Sequence, residues 1–124
     1  MAERVAEHVT IEQDGAWFLN DPVFAMYHDL DPADQEGQKS LAVVHNVACS
    51  YSETVYEAWG DIPSTYVRTT GDRCVPPPYQ DLCVVNVVDA GVPLDVVVFD
   101  CGHSACAKYP KEVAELVIKA SKSI

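Results

Sequence analysis

Asp72 and His103 are the residues of this chain whose types and positions could do chemistry together. Asp72 follows the β-branched run Tyr66-Val67-Arg68-Thr69-Thr70-Gly71, and His103 follows Val96-Val97-Val98-Phe99-Asp100-Cys101-Gly102. Each therefore falls just past the C-terminal end of a predicted strand, where parallel α/β sheets gather their reactive groups. A carboxylate beside an imidazole makes it a general base, because it fixes which ring nitrogen carries the proton and stabilises the imidazolium that forms. An acid followed later by a His is the order of the two supporting members of a Ser-His-Asp triad, whose serine would precede both on a G-x-S-x-G turn. No such motif occurs in the 124 residues.

Other candidates are weaker. Gly102-His103-Ser104-Ala105-Cys106 comes close to the missing motif. A nucleophile turn runs directly into its helix, whereas Pro110 predicts a helix starting several residues later, and Ser104 adjoins the His that would have to serve it. Ser104 is therefore not expected to be a nucleophile. Cys101, His103 and Cys106 suggest zinc, but structural zinc takes four ligands in two spaced pairs, and Cys74 and Cys83 do not supply the second. No C-x-x-C redox pair is present. Neither metal nor cofactor is expected. The plain alternative for Asp72 is turn chemistry after a glycine, and for His103 an imidazole held in a hydrogen bond. His28 and His45 read as surface or pocket-lining groups.

The elements that must position these residues follow from patterning. Asp14-Gly15 between Val9–Gln13 and Ala16–Leu19 predicts a hairpin. Asp21-Pro22 predicts an N-cap and first helical position for a short helix to about His28. Asp31-Pro32 repeats the signature, with a longer helix, broken at most once, to about Trp59 on the spacing of Leu41, Val44, Val47 and Ala48. After Gly60-Asp61-Ile62-Pro63 the pattern changes. Tyr66–Thr70 reads as a strand, and Pro76-Pro77-Pro78 postpones helix until about Tyr79. Gln80–Ala90 reads as a helix closed by a left-handed Gly91. Leu94–Phe99 reads as a strand buried on both faces, and Pro110 opens a last helix with Glu112 early and Lys119 and Lys122 late, as the helix dipole favours. The second half is thus β-α-β-α with parallel strands. Two parallel strands make a poor sheet alone, so the expectation is part of a larger assembly, or a subunit that completes its sheet with another chain.

Composition excludes several function classes. Hydrophobic residues make up 48% of the chain, enough for a core. The net charge of −11 argues against nucleic acid and against an anionic membrane surface as partners. No apolar run approaches the roughly 20 residues of a membrane span, and the start lacks the apolar stretch of a secretory signal, so a cytoplasmic location is expected. The five cysteines, odd in number and set among apolar residues, are expected reduced and mostly buried.

Several segments together resemble the C-terminal portion of an α/β-hydrolase, in the esterase group that includes plant methylesterases and hydroxynitrile lyases. They are Ile62-Pro63-Ser64-Thr65-Tyr66-Val67, Thr70-Gly71-Asp72-Arg73-Cys74-Val75-Pro76 with Gln80, Phe99-Asp100-Cys101-Gly102-His103-Ser104 and Tyr109-Pro110-Lys111-Glu112-Val113-Ala114-Glu115. Met26-Tyr27-His28-Asp29-Leu30 resembles the start of that family's cap. The likeness is closest over about Ile62–Ala120 and looser over Asp21–Trp59. It implies a partial α/β-hydrolase fold, with a hairpin and cap-like region over residues 1–61 and a hydrolase segment over 62–124. It also implies Asp72 as triad acid and His103 as catalytic base. The family's early strands, oxyanion-hole loop and nucleophile turn have no counterpart here, so a chain catalytically incomplete on its own is expected. Two readings follow. One is a protein of ester- or acyl-hydrolase ancestry, taking a small apolar ester or acyl ligand, with Trp17, Phe18, Phe24, Met26, Tyr27, Tyr56 and Trp59 read either as an apolar lid over it or as the packed core of a small helical cap. The other is a non-catalytic module that binds a small ligand, or associates with itself or with another hydrolase chain.

Overall fold

The computed structural model describes residues 9–122, which divide between Tyr56 and Glu57 into two compact units. In the first, β1 (Val9–Ile11) and β2 (Ala16–Leu19) pair antiparallel, with Thr10 opposite Phe18. The turn is built as its residues require. Gly15 adopts φ +84°, which only glycine takes without strain, and Asp14 Oδ1 accepts the Ala16 N–H at 3.0 Å. Asp21 Oδ1 then accepts the Phe24 N–H at 2.9 Å, and the short helix predicted there is a single π-helical turn, Val23–Tyr27. Helix α1 (Pro32–Ser40) starts at Pro32 as expected, with Asp31 as N-cap.

The long helix expected to about Trp59 does not form. α1 stops at Ser40, whose hydroxyl donates to Gly37 O. β3 (His45–Asn46) follows and adds to β2 with His45 opposite Trp17, and α2 (Ala48–Tyr51) is a single turn. No residue of α1 is buried, so it has no apolar face for the next segment to prolong. Leu41 and Val44, read as one apolar stripe, are 69% and 61% exposed. The Val47 N–H instead donates to Gly15 O at 2.8 Å, which ties this segment to the hairpin turn.

In the second unit a 3₁₀ turn (Ala58–Gly60) leads into β4 (Ser64–Thr69), α3 (Pro77–Asp89), β5 (Leu94–Phe99), α4 (Ala105–Lys108) and α5 (Pro110–Ser121). β4 and β5 pair parallel from Ser64 opposite Leu94 to Thr69 opposite Phe99, and α3 packs against both. Three expectations need correction. The triple proline opens α3 rather than postponing it: Pro77 and Pro78 occupy its first turn, where a missing N–H costs nothing. β5 is not buried on both faces, since Val96 and Val98, two apart and on one face, are 41% and 57% exposed. The cysteines are not mostly buried either. Cys101 is, whereas Cys49, Cys74, Cys83 and Cys106 are exposed. Among the described residues no helix is long and apolar enough to cross a membrane.

Gly91 closes α3 as expected, at φ +80°, with its N–H donating to Val88 O at 2.9 Å. A Cβ placed there would touch nothing within 4 Å, so the backbone conformation alone penalises substitution. Gly91→Ala should therefore destabilise the protein by about 1–2 kcal/mol, and Gly91→Asn by less. Urea denaturation would read this as a lowered midpoint with an unchanged slope.

Candidate active site

The site forms where β4 and β5 end. Parallel pairing brings the two strands out on the same edge of the sheet, and further hydrogen bonds extend the match into the loops. The Thr70 N–H donates to Phe99 O at 3.0 Å, the Gly71 N–H to Cys101 O at 2.9 Å, and the Thr70 hydroxyl to the Asp100 carboxylate. Gly71 has to be small: a Cβ there would lie 3.2 Å from Cys101 O, which is main chain and cannot swing aside. With the loops held this close, Asp72 and His103, 31 residues apart in sequence, meet.

His103 Nδ1 lies 2.9 Å from Asp72 Oδ2 and 3.1 Å from Oδ1. The Asp72 side chain is 5% exposed and the His103 side chain 30%. A buried carboxylate needs donors, and Asp72 has them on both oxygens. Oδ1 accepts the N–H groups of Cys74 and Val75, each at 2.8 Å. Oδ2 accepts the Thr69 hydroxyl at 3.0 Å and Gln80 Nε2 at 3.4 Å. Every neighbour other than the imidazole is a donor, so the carboxylate acts as acceptor throughout. Nδ1 must then be the protonated nitrogen of the neutral ring, which leaves Nε2 with a free lone pair. Nε2 has no hydrogen-bond partner among the described residues.

The Asp72 charge is felt nearby. Although Cys74 as a residue is exposed, its thiol is pushed above its ordinary value by desolvation first and by Asp72 second. The Tyr66 phenol is raised by burial, then by Cys83, then by Asp72. On the rim, Arg68 Nε and Nη2 donate to the two Asp81 oxygens at 2.6 and 3.0 Å, and this hydrogen bond is the main reason the Asp81 carboxyl lies below its usual range.

The remaining candidates stand apart. The helix opened by Pro110 begins there as expected, but an additional single turn, α4, starts directly after Ser104, whose carbonyl accepts the N–H groups of Ala107 and Lys108. Ser104 itself has an ordinary φ of −94° and makes no hydrogen bond to the His103 ring. Cys101 is buried beside the site and Cys106 is exposed on α4, and the described residues hold no group of three ligating side chains placed for a metal. His28, in the first unit, is partly buried with Nδ1 unpartnered among the described residues, and His45 stacks obliquely on Trp17 at 5.4 Å. Thr69 and Gln80 are the site neighbours that sequence reading did not place. Gln80 stood among the residues of the resemblance, but its contacts depend on how α3 docks on β4.

A model of the alpha/beta hydrolase family matches residues 2–116. Among solved structures, a crystal structure of a polyneuridine aldehyde esterase mutant is similar, with a TM-score of 0.66 and 16% identity over 86% of this chain. The chain spans 43% of the length of that esterase. No curated protein matches. With residues 2–116 of 124 matched, and with parallel strands bearing their polar groups at one edge, the chain belongs to the alpha/beta hydrolase family.

Proposed function

We propose that this chain carries the acid–base half of an ester- or acyl-hydrolase site, with Asp72 as the orienting acid and His103 as the general base. One observation supports this above all: His103 Nδ1 lies 2.9 Å from a buried carboxylate whose other partners all donate. In such a pair Nε2 takes the proton of an attacking hydroxyl and returns it to the leaving group, while the acid stabilises the imidazolium between those steps. The substrate class, a small apolar ester or acyl compound, rests on the family and on the esterase of similar fold. The 124 residues contain no G-x-S-x-G, and Ser104 lies beside the base without bonding to it. The chain by itself is therefore expected to lack serine-dependent turnover. Incubating it with short activated esters, beside a Ser104→Ala variant, tests this. Both should stay at the uncatalysed rate, and turnover lost in Ser104→Ala would overturn the proposal.

A second reading, as a module that associates with another hydrolase chain or with itself, draws on the open strand. Val96 and Val98 present an apolar face, and among the described residues no further strand adds to either edge of the two-stranded parallel sheet. The net charge of −11 opposes association at low salt, and added salt screens that repulsion. Sedimentation over a concentration series should show association that rises with ionic strength. A compact monomer under every condition, unfolding cooperatively, would rule self-association out.

A further inference from the structure

We infer that Gln80 is a positioning residue for the His103–Asp72 pair, acting through Thr69. The inference rests on the acid–base reading above and adds the group that sets the pair's polarity. Gln80 is 2% exposed, the most buried large side chain among the described residues. A carboxamide taken so far out of water has to satisfy both its ends. Oε1 accepts the Thr69 N–H at 2.9 Å, and Nε2 donates to Thr69 O at 3.1 Å and to Val75 O at 2.8 Å. The β5-facing bond at this point comes from the Thr70 N–H to Phe99 O, so the Thr69 groups face the opposite edge of β4. Gln80 pairs with them there as a neighbouring strand would.

This pairing determines which way the amide points. Turned over, Gln80 would set its NH₂ against the Thr69 N–H, and its oxygen against the carbonyls of Thr69 and Val75. Main-chain groups thus hold Nε2 on the side of the site. Nε2 also lies 3.1 Å from Thr69 Oγ1 and 3.4 Å from Asp72 Oδ2. A hydroxyl has one proton. An amide NH₂ carries two hydrogens, so Thr69 Oγ1 shares one of them with a main-chain acceptor, and the hydroxyl proton goes to the carboxylate at 3.0 Å rather than to Gln80 Oε1 at 3.4 Å. Polarity therefore runs in one direction, from the Gln80 amide through the Thr69 hydroxyl to Asp72 Oδ2, the oxygen nearest His103 Nδ1. Gln80 keeps Oδ2 turned toward the ring as an acceptor, and so keeps the ring's neutral proton on Nδ1.

The tautomer of His103 is the readout, because a merely structural role for Gln80 would lower stability and leave the tautomer unmoved. Nitrogen resonances of labelled histidine in the full chain separate the two tautomers. Wild type should hold the neutral proton on Nδ1. Gln80→Met keeps length and bulk but not the hydrogen bonds, and should lower the ratio of Nδ1–H to Nε2–H by about three- to tenfold. Thr69→Val removes only the hydroxyl and should move the ratio the same way, whereas Thr69→Ser should restore it. An unchanged ratio in Gln80→Met overturns the inference. Should that variant not fold, an unchanged ratio in Thr69→Val does so instead. Asp72→Asn tests the underlying pair separately: if it leaves the ring as in wild type, the acid–base reading fails and the role of Gln80 fails with it.

Discussion

The second unit depends on keeping one carboxylate satisfied out of water. Asp72 is 7% exposed, and removing such a group from solvent is costly unless donors replace the lost water. Those donors come from its own loop at Cys74 and Val75, from the end of β4 at Thr69, from α3 at Gln80, and from the loop after β5 at His103. Four separate segments must therefore arrive together. Misplacing any of them leaves a buried charge short of a partner, which is more costly than losing an apolar contact of similar size.

Strand pairing makes that convergence possible. The parallel register delivers both loops to one edge, and the bonds from Thr70 to Phe99 and from Gly71 to Cys101 carry the pairing past the last strand residues. On the far side of β4, Gln80 and Asp81 are consecutive in α3 and engage the consecutive strand residues Thr69 and Arg68. The helix start is thereby locked to the strand end. Every hydrogen bond to the Asp72 carboxylate comes from within the stretch from Thr69 to His103.

Much of this was legible in the sequence, and the parts that were not have identifiable reasons. The strands, the closing Gly91 and the nearness of Asp72 to His103 follow from local runs plus one rule about where parallel strands end. Gln80 was not placed in the site because its partners are main-chain groups of a strand 11 residues earlier, which no side-chain pattern reveals. The triple proline misled because rigidity suggests a loop, although the first helical turn is where proline fits. The apolar spacing from Leu41 onward misled for a different reason. β3 is two residues long and exists only through its pairing with β2, so local periodicity carries no trace of it.

The unit's most buried described positions are Thr69, Asp72, Gln80, Cys101, Gly102 and Ala105, mostly polar or small, while Val96 and Val98 of β5 are exposed. Its cohesion comes from directional bonds more than from hidden hydrocarbon. Unfolding such a centre wets little new apolar surface, and apolar wetting is what raises the heat capacity of the unfolded chain. The stability of this unit should consequently vary only gently with temperature, with neither the steep loss on heating nor the marked weakening in the cold that a greasy interior imposes.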